Sequence, residues 1–331
     1  MKALAYTKAH PLTDFQIKDL EVPRPALRPH DVLMEVKAFS INPVDYKVRG
    51  SRTLPDGEPV ILGWDAAGVV VEAGPEAKGF KVGDEVYGAG DLTRAGSYGE
   101  LYAIDSRIIA RKPRSLSFTQ AAALPLTALT AWEALIARPE LELGRGSSVL
   151  VIGGAGGVGS IAIQLLKQKT QAKVIATASR SETIEWCSRM GADATIDHRK
   201  DLEKELERIG IKEVDAIFST THSDTYAGVF PKILRPFGNL SLIDDPKTFD
   251  IVPFKRKSIS VHWELMFTKT LLSYRLESQG EILKELAQLV DEGKIKTTAN
   301  TILKGATAEH LRFAHEMAEQ SKGVGKIVIE R

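Results

Sequence analysis

Two patterns of apolar and polar positions divide the chain. Up to about residue 111, short β-rich runs are separated by glycine and proline, which predicts an irregular, barrel-like β region. From residue 149 onward, apolar runs of strand length alternate with segments of helical period, which predicts a doubly wound parallel sheet. The runs of the first region lie at 31–39, 68–73, 97–103 and 107–110. The predicted strands of the second region are 149–152, 173–177, 195–197, 216–219 and 239–243, with helices at 158–169, 182–190, 202–209 and 225–234.

The change between the two patterns lies near Ser117. Ser117 with Gln120 three positions later forms a capping box, which predicts the start of a helix. Beyond residue 259 the pattern is mixed again, so we expect the end of the chain to complete the β-rich region. The predicted domains are 1–120, 121–258 and 259–331, with helices near 281–292 and 308–321 and a strand at 326–329 in the last segment.

A glycine-rich loop follows the first strand of the second region. Residues 153–159 read GGAGGVG and satisfy GxGxxG, and the next segment has the apolar spacing of an amphipathic helix. A bare backbone at a helix N-terminus binds the pyrophosphate of a dinucleotide, although a turn without a ligand is the alternative. The predicted cofactor contacts are Gly154, Ala155, Gly156, Gly157, Val158 and Gly159.

The residues that would read the adenosine ribose lie about 20 positions past this loop, where NAD-binding domains carry Asp or Glu. Here the chain has Ser179 and Arg180. A carboxylate repels a 2′-phosphate, whereas a hydroxyl and a guanidinium bind one, so the sequence favours NADPH over NADH. The alternative is that Arg180 is a solvated residue of the following turn.

Composition limits the classes of partner. The chain of 331 residues has a formal net charge of +1, 43% hydrophobic and 26% charged residues, and so lacks the basic excess typical of nucleic-acid or membrane binding. Its one cysteine, Cys187, allows neither an internal disulfide nor a multi-cysteine zinc site. No signal peptide or membrane span is evident, so we expect a cytoplasmic protein with a small-molecule substrate.

The order of the motifs resembles one superfamily. No tyrosine is followed by lysine four positions later, which excludes the chemistry of the short-chain dehydrogenases. The chain also contains, in this order, the motifs INPVDYKVRG (41–50), LGWDAAGVVVEAG (62–74), KVGDEVYG (81–88), GSYGELYAI (96–104), AAALPLTALTAWEAL (121–135), SISVHWELMF (258–267) and GKIVI (325–329). With these motifs the chain resembles the medium-chain dehydrogenase/reductase superfamily, specifically its quinone oxidoreductase branch and the zinc-type alcohol dehydrogenase-like proteins. This resemblance implies a GroES-like catalytic domain with a Rossmann domain, commonly in a homodimer.

The chain departs from that superfamily at the zinc ligands. Zinc alcohol dehydrogenases take a cysteine from the segment corresponding to residues 39–42, which here reads FSIN, and a histidine from a GHE motif, which here reads Gly63-Trp64-Asp65. We therefore expect no metal. Other candidate ligands, His262 with Glu264 and His310 with His315, have spacings that do not share one helix face.

A site without a metal restricts the reaction. Charge on an alkoxide-like oxygen needs a Lewis acid or a strong proton donor, whereas a quinone or an α,β-unsaturated carbonyl spreads the charge over a conjugated system. The resemblance places the substrate near residues 42–47, where we expect Asn42 and Tyr46 to donate to the substrate oxygen, Asp45 to orient them and Lys47 to be an alternative donor. Asp45 as a turn cap and Tyr46 as a packing aromatic are the alternatives.

Three further residues complete the expected site. Trp64 and Phe267 are expected to line the substrate cleft, and Thr130 resembles the threonine that contacts the cofactor near its nicotinamide half. Two other functions stay open from the sequence. They are an NADPH-binding redox sensor or structural protein with little turnover, and a zinc-dependent alcohol dehydrogenase with atypical ligands.

Overall fold

A computed structural model describes residues 1–138, 141 and 143–331 of the chain. The described residues form two units, one from Met1–Leu129 and Phe267–Arg331 and the other from Thr130–Met266. The predicted domain limits after residues 120 and 258 stay a prediction. None of the helices in these described ranges is long and apolar enough to cross a bilayer.

Strands predominate in the first third of the described chain, and helices and strands largely alternate after it. The described strands are β1 (Lys2–Tyr6), β2 (Lys18–Glu21), β3 (Asp31–Ser40), β4 (Val60–Ile61), β5 (Ala66–Ala73), β6 (Glu85–Gly88), β7 (Leu101–Asp105), β8 (Ile109–Arg111), β9 (Ser148–Ile152), β10 (Lys173–Thr177), β11 (Ala194–Ile196), β12 (Val214–Ser219), β13 (Leu234–Leu242), β14 (Ser260–Trp263), β15 (Ala299–Lys304) and β16 (Lys326–Glu330). The described helices are α1 (Pro43–Arg49), α2 (Phe118–Ala122), α3 (Pro125–Leu135), α4 (Gly157–Lys169), α5 (Ser181–Met190), α6 (Leu202–Arg208), α7 (Ser223–Tyr226), α8 (Phe230–Ile233), α9 (Thr268–Leu271), α10 (Glu277–Asp291) and α11 (Ala308–Glu319).

The unit Thr130–Met266 is built on a parallel sheet. Its strand order is β11-β10-β9-β12-β13-β14, and every pairing between these neighbours is parallel. Strand β9 is the first in sequence and lies between β10 and β12, so the chain runs outward from it in both directions, as in a doubly wound fold. Leu150, Ile217 and Leu240 of three adjacent strands are buried in its core. This sheet confirms the predicted α/β class.

The other unit is the β-rich one. A small sheet has the order β2-β1-β4, and a larger sheet has the order β15-β16-β3-β5-β6-β8 with β7 also paired to β3. Strand β16, near the end of the chain, pairs antiparallel with β3, so that Val328 lies opposite Ser40. The end of the chain therefore lies beside β3 in the β-rich unit.

Local sequence signals account for several element ends. The capping box is confirmed, because the Gln120 backbone N–H donates to Ser117 Oγ over 3.2 Å and the Ser117 N–H donates to Gln120 Oε1 over 3.0 Å. The single helix predicted at 225–234 is wrong. The chain forms two one-turn helices, α7 and α8, since Gly228 and Pro231 fall between and within them.

Two of the predicted β runs are also wrong in part. Strand β7 begins at Leu101, because the backbone before it bonds irregularly, with Ser97 N–H on the Gly63 carbonyl and Glu100 N–H on the Lys2 carbonyl. The run predicted at 107–110 begins as a 3-10 turn, Ser106–Ile108, which is capped when Asp105 accepts the Arg107 N–H over 2.9 Å.

Helix α1 is fastened to α11 by buried polar groups. Arg49, at the end of α1, is 2% exposed, and its Nη1 lies 2.8 Å from Nδ1 of His315 on α11. Its other terminal nitrogen forms a salt bridge with Glu319. His315 is fully buried, and desolvation, followed by the nearby Arg49 and His10, lowers its pKa to about 3.

This neutral histidine predicts an acid-dependent contribution to stability. An unfolded histidine has a pKa of about 6.5. Below pH 6.5 the unfolded protein therefore binds a proton at His315 that the folded protein does not bind. The contribution of His315 is complete above pH 6.5 and is lost as the pH falls toward 3. The free energy of unfolding of the wild type relative to His315→Gln should therefore fall by as much as about 1.4 kcal/mol per pH unit between pH 6.5 and 4.5.

Chemical denaturation at several pH values measures this difference. His310→Gln, on the same helix, is the matched control and should track the wild type at every pH. A difference between wild type and His315→Gln that does not change with pH would show that His315 titrates normally in the folded protein.

Candidate functional site

The glycine loop lies at the carboxyl end of the central strand of the parallel sheet. Strand β9 is buried throughout and leads into the loop, and helix α4 begins at Gly157. Ligands of doubly wound folds bind at this point, where the chain leaves the sheet in opposite directions on the two sides. The structure therefore brings together the six predicted loop residues at the place where a phosphate-binding loop is expected.

Steric constraints explain the glycines. Gly153 has a φ of 75°, which favours glycine. A Cβ on Gly154 would lie 2.6 Å from the Ala176 Cβ, and a Cβ on Gly159 would lie 2.3 Å from the Gly153 carbonyl oxygen. Gly156 differs, since a Cβ there would meet only the Gly153 oxygen, at 3.3 Å.

The N-terminus of α4 fits an anionic diphosphate. Gly156 is the N-cap residue and offers no side chain to the first backbone N–H groups of a helix of 13 residues. These groups carry the positive end of the helix dipole, and a diphosphate satisfies both the hydrogen-bonding and the charge requirement.

Side chains behind the loop hold it in place. Trp186 Nε1 on α5 donates to Ser160 Oγ over 2.7 Å, and that hydroxyl donates to the Gly156 carbonyl over 2.6 Å. On the other side, the Gly153 N–H donates to Thr177 Oγ1 over 2.9 Å. These hydrogen bonds fix the loop against α5 and β10, and within it the Gly156 N–H donates to the Gly153 carbonyl over 3.0 Å.

Ser179 and Arg180 lie just past the carboxyl end of β10. Arg180 is exposed, and Ser179 is partly buried. Arg199 donates to the Ser179 carbonyl over 3.1 Å and pairs with Asp197, whose pKa falls well below its usual range because of the Arg199 hydrogen bonds. The charge of Arg180 also acts on the nearby His198. Several cationic or protonatable groups therefore share this edge of the sheet.

In the β-rich unit, Asn42 and Asp45 form the capping box of α1. The Asn42 N–H donates to Asp45 Oδ2 over 2.7 Å, and both residues are almost completely buried. Burial raises the pKa of Asp45 to about 7, while Asn42, Lys326 and Tyr98 act in the opposite direction. The Asp45 carboxyl group therefore caps the first turn of the helix, which is the alternative named for it from the sequence, and its orienting role stays a prediction.

Asp65 is the centre of a second buried cluster. Its Oδ2 accepts from Ser40 Oγ over 2.8 Å and from Asn42 Nδ2 over 2.9 Å, and its Oδ1 accepts the Leu126 N–H over 2.9 Å. Lys326 Nζ lies 3.5 Å from Oδ2. Burial raises the pKa of Asp65, and the positive charge of Lys326 counteracts this.

Lys326 is itself buried, with 4% of its surface exposed. Its ammonium donates to Asn42 Oδ1 over 2.6 Å and to the Ile41 carbonyl oxygen. Burial lowers its pKa, while Asp65 and Asp45 act in the opposite direction. The Asn42 carboxamide thus connects a buried cation with a buried anion, and one of its two Nδ2 hydrogens is used in doing so.

The remaining predicted residues lie in three different settings. Tyr46 is partly buried and Lys47 is exposed on α1. Trp64 and Phe267 are buried and pack edge to face, with ring centroids 6.3 Å apart, and Trp64 Nε1 donates to the Asp91 carbonyl over 3.0 Å. Thr130 is buried on helix α3 of the other unit. Their catalytic and binding roles stay predictions.

Comparison with known proteins assigns the chain to a family. A family model described as "Alcohol dehydrogenase GroES-like domain" matches residues 28–114, and one described as "Zinc-binding dehydrogenase" matches residues 190–329. A "Zinc-type alcohol dehydrogenase-like protein" of Staphylococcus epidermidis is 35% identical over 99% of both chains. The chain belongs to the medium-chain dehydrogenase/reductase superfamily. It is an oxidoreductase of that superfamily.

Other relatives share this fold and add activities of their own. The "NADPH-dependent alkenal/one oxidoreductase, chloroplastic" of Arabidopsis thaliana is 31% identical over 92% of this chain and 73% of the relative. The crystal structure of a putative zinc-dependent alcohol dehydrogenase of Rhizobium etli has a TM-score of 0.96 and 46% identity, over 100% and 98% of the two chains. The Escherichia coli quinone oxidoreductase complexed with NADPH has a TM-score of 0.85 and 25% identity, over 100% of both chains.

The family names mention zinc, but the candidate ligands of this medium-chain dehydrogenase/reductase have other partners. Within the residues that the structure describes, no three His, Cys, Asp or Glu side chains are grouped so as to hold a metal ion. His310 Nδ1 lies 2.8 Å from the Gly305 carbonyl oxygen, and His315 is bound to Arg49 and Tyr98. Asp65, which follows Trp64, already accepts three hydrogen bonds and a salt bridge.

Sequence reasoning missed the partners of the predicted residues. Asp65 and Lys326 both form hydrogen bonds with the Asn42 side chain, yet Lys326 is 284 positions away from it. The signal available was the GKIVI motif itself, in which a lysine precedes an apolar strand, but a lysine at a strand start is normally an exposed residue. Arg199 was also missed, because it meets the Ser179 carbonyl from a position 20 residues further along the chain.

The buried ion pair predicts an asymmetric response to mutation. Lys326→Met removes the cation and leaves the Asp65 charge buried, so the free energy of unfolding should fall by about 3 to 5 kcal/mol. The double variant Asp65→Asn with Lys326→Met removes the unpaired charge at position 65 and should be more stable than Lys326→Met alone. Denaturant unfolding of the two variants measures the difference, and a double variant that is less stable than the single one would contradict the pairing.

Proposed function

We propose that this chain is an NADPH-dependent oxidoreductase that transfers a hydride to a quinone or an α,β-unsaturated carbonyl without a metal. The Arabidopsis relative is named for NADPH and for alkenals and enones, and the Escherichia coli structure for quinones and NADPH. These names support the substrate class and the cofactor for this chain. The small-molecule substrate, a cytoplasmic location and a homodimer belong to the same proposal.

The chemistry of the donor set is the observation that carries the metal-free part. Where zinc relatives have a cysteine and a histidine, this chain has the segment 39–42 and Trp64, whose indole donates a hydrogen bond and offers no ligand atom. Asp65, which follows Trp64 directly, is the nearest carboxylate to it in the sequence. The Lys326 ammonium already compensates the charge of Asp65. A second positive charge there would compete with that lysine.

We propose that NADPH binds to the parallel-sheet unit. The loop residues Gly154 to Gly159 and the N-terminus of α4 would hold the diphosphate, and Ser179 and Arg180 would bind the 2′-phosphate. Thr130 is proposed to contact the nicotinamide half. When bound, the cofactor supplies a hydride, and the protein supplies orientation and electrostatic stabilisation.

Side chains of α1 are proposed to act on the substrate oxygen. Tyr46 is the main proposed donor, with Lys47 as the alternative and the second Nδ2 hydrogen of Asn42 as a further donor. A conjugated acceptor spreads the developing charge, so one or two hydrogen bonds suffice to stabilise it. Trp64 and Phe267 are proposed to form the apolar wall for a flat substrate.

An acceptor panel tests the function. NADPH oxidation should be fast with quinones and enones and slow with simple saturated aldehydes, because an alkoxide formed from an aldehyde has no conjugation to spread its charge. Each acceptor is assayed with NADPH and with NADH, and cofactor binding is measured separately by fluorescence. Tight NADPH binding without oxidation by any acceptor would favour the redox-sensor or structural role.

Arg180 is the residue that tests the cofactor preference. Arg180→Asp replaces a phosphate-binding cation with a repelling carboxylate, so the Kd for NADPH should rise by about ten- to a hundredfold while the Kd for NADH changes little. Lys173→Asp makes the same charge change at the other end of strand β10 and is the matched control. An unchanged ratio of NADPH to NADH affinity in Arg180→Asp would remove Arg180 from phosphate recognition.

A further inference from the structure

A row of buried polar side chains runs through the β-rich unit toward helix α1. It begins at Glu319, which is partly exposed, and continues through its salt bridge to Arg49. Arg49 contacts His315, and His315 Nε2 lies 3.2 Å from the Tyr98 hydroxyl. Tyr98 in turn interacts with the Asp45 carboxylate, so the row ends at the capping box of α1.

The direction of the hydrogen bonds in this row follows from elementary chemistry. A guanidinium only donates, so Nδ1 of His315 must accept from Arg49. A neutral imidazole has one donor and one acceptor, so Nε2 carries the hydrogen and donates to the Tyr98 oxygen. The hydroxyl hydrogen of Tyr98 is then free to point at Asp45. Arg49 therefore sets the direction of every bond that follows.

The charges around Asp45 show why such a donor is needed. Asp45 is fully buried, and its Oδ1 has no partner with hydrogen-bond geometry. The charged groups that act on its carboxyl are Lys326 of strand β16 and Asp65, which is the nearer partner of that lysine. Arg49 is engaged by Glu319. Asp45 is thus the buried acid of this cluster that has no cation of its own, and it depends on hydrogen-bond donors for its ionised form.

We propose that Arg49 and His315 direct the Tyr98 hydroxyl toward the unpartnered Oδ1 of Asp45, and that this donor favours the carboxylate form, which caps helix α1 and positions Asn42 and Tyr46. Tyr98 and His315 are positioning residues in this account, because they act through Asp45. The consequence for catalysis rests on the proposed function, whereas the effect on Asp45 does not.

Protonation of Asp45 would weaken the cap of helix α1. A carboxylate accepts the Asn42 N–H more strongly than a carboxylic acid does, so protonation loosens the first turn of α1. Burial already brings the pKa of Asp45 to about 7, so removal of one donor changes its state within the neutral pH range. Reduction of an enone should then have an acid limb in its pH profile that follows the titration of Asp45.

Infrared difference spectroscopy tests the effect of this row of side chains on Asp45 without any assay of activity. The carbonyl stretch of protonated Asp45 is assigned by its absence in Asp45→Asn, and its appearance is followed as the pH is lowered. In Tyr98→Phe the midpoint should move upward by about one to two pH units, because the ionised carboxylate loses a donor. His315→Gln should move it in the same direction, and it supplies the same readout if Tyr98→Phe does not fold.

Tyr6→Phe is the matched control. Tyr6 is also a buried tyrosine, but its hydroxyl donates to the Val48 carbonyl over 3.1 Å and takes no part in the row. Its variant should leave the infrared midpoint unchanged. The proposal would be overturned if the midpoint in both Tyr98→Phe and His315→Gln equals that of the wild type. It would also be overturned if no band that is lost in Asp45→Asn appears between pH 5 and 9.

Kinetics separate this proposal from the proposed function. With an enone and NADPH, the acid limb of kcat should move upward in Tyr98→Phe by the same amount as the infrared midpoint, with the KM for NADPH unchanged. If the wild type reduces no acceptor, the proposed function fails. The infrared result then still tests whether Arg49, His315 and Tyr98 act on Asp45. A midpoint that moves while the pH profile of an active enzyme does not would overturn the positioning role.

Discussion

The Lys326 ammonium lies among oxygen atoms that come from segments far apart in the sequence. It binds the Ile41 carbonyl and the Asn42 side chain at the start of helix α1, and it compensates Asp65 just before strand β5. A buried charge without such partners would cost several kcal/mol, so the positions of these segments are coupled to one another. The Asn42 carboxamide, held between a cation and an anion, can hardly rotate, and the helix that follows it starts at a fixed point.

This coupling relates the fold of the β-rich unit to its proposed chemistry. A lysine of strand β16 supplies a buried positive charge beside Asp65 at the start of helix α1. The exposed side of α1 then carries Tyr46 and Lys47, while its buried side carries Asp45. The buried side of α1 therefore holds the helix in place. We propose that its other side, with Tyr46 and Lys47, binds the substrate oxygen. The glycine loop, by contrast, is fixed by close backbone contacts and by the hydroxyls of Ser160 and Thr177.

The sequence predicts those parts of the structure that depend on local patterns. Strand β9, the glycine loop and helix α4 follow from apolar period and glycine spacing, and the Ser117 cap follows from a four-residue motif. The predicted helix at 225–234 is wrong because Gly228 and Pro231 interrupt an otherwise helical pattern. The partners of Asn42 could not be predicted, because Lys326 reaches it only through the pairing of β16 with β3, and no local pattern encodes that register. The same holds for His315 and Tyr98, which meet across 217 positions of the sequence.

We propose that the reduction proceeds in this site without a metal ion. This is tested by the rate of NADPH oxidation with an α,β-unsaturated ketone, measured on protein that has been dialysed against a chelator and whose zinc content is then determined by elemental analysis. We expect the same rate before and after dialysis, and no increase when zinc is returned. A rate that is lost with the chelator and restored by stoichiometric zinc would contradict it.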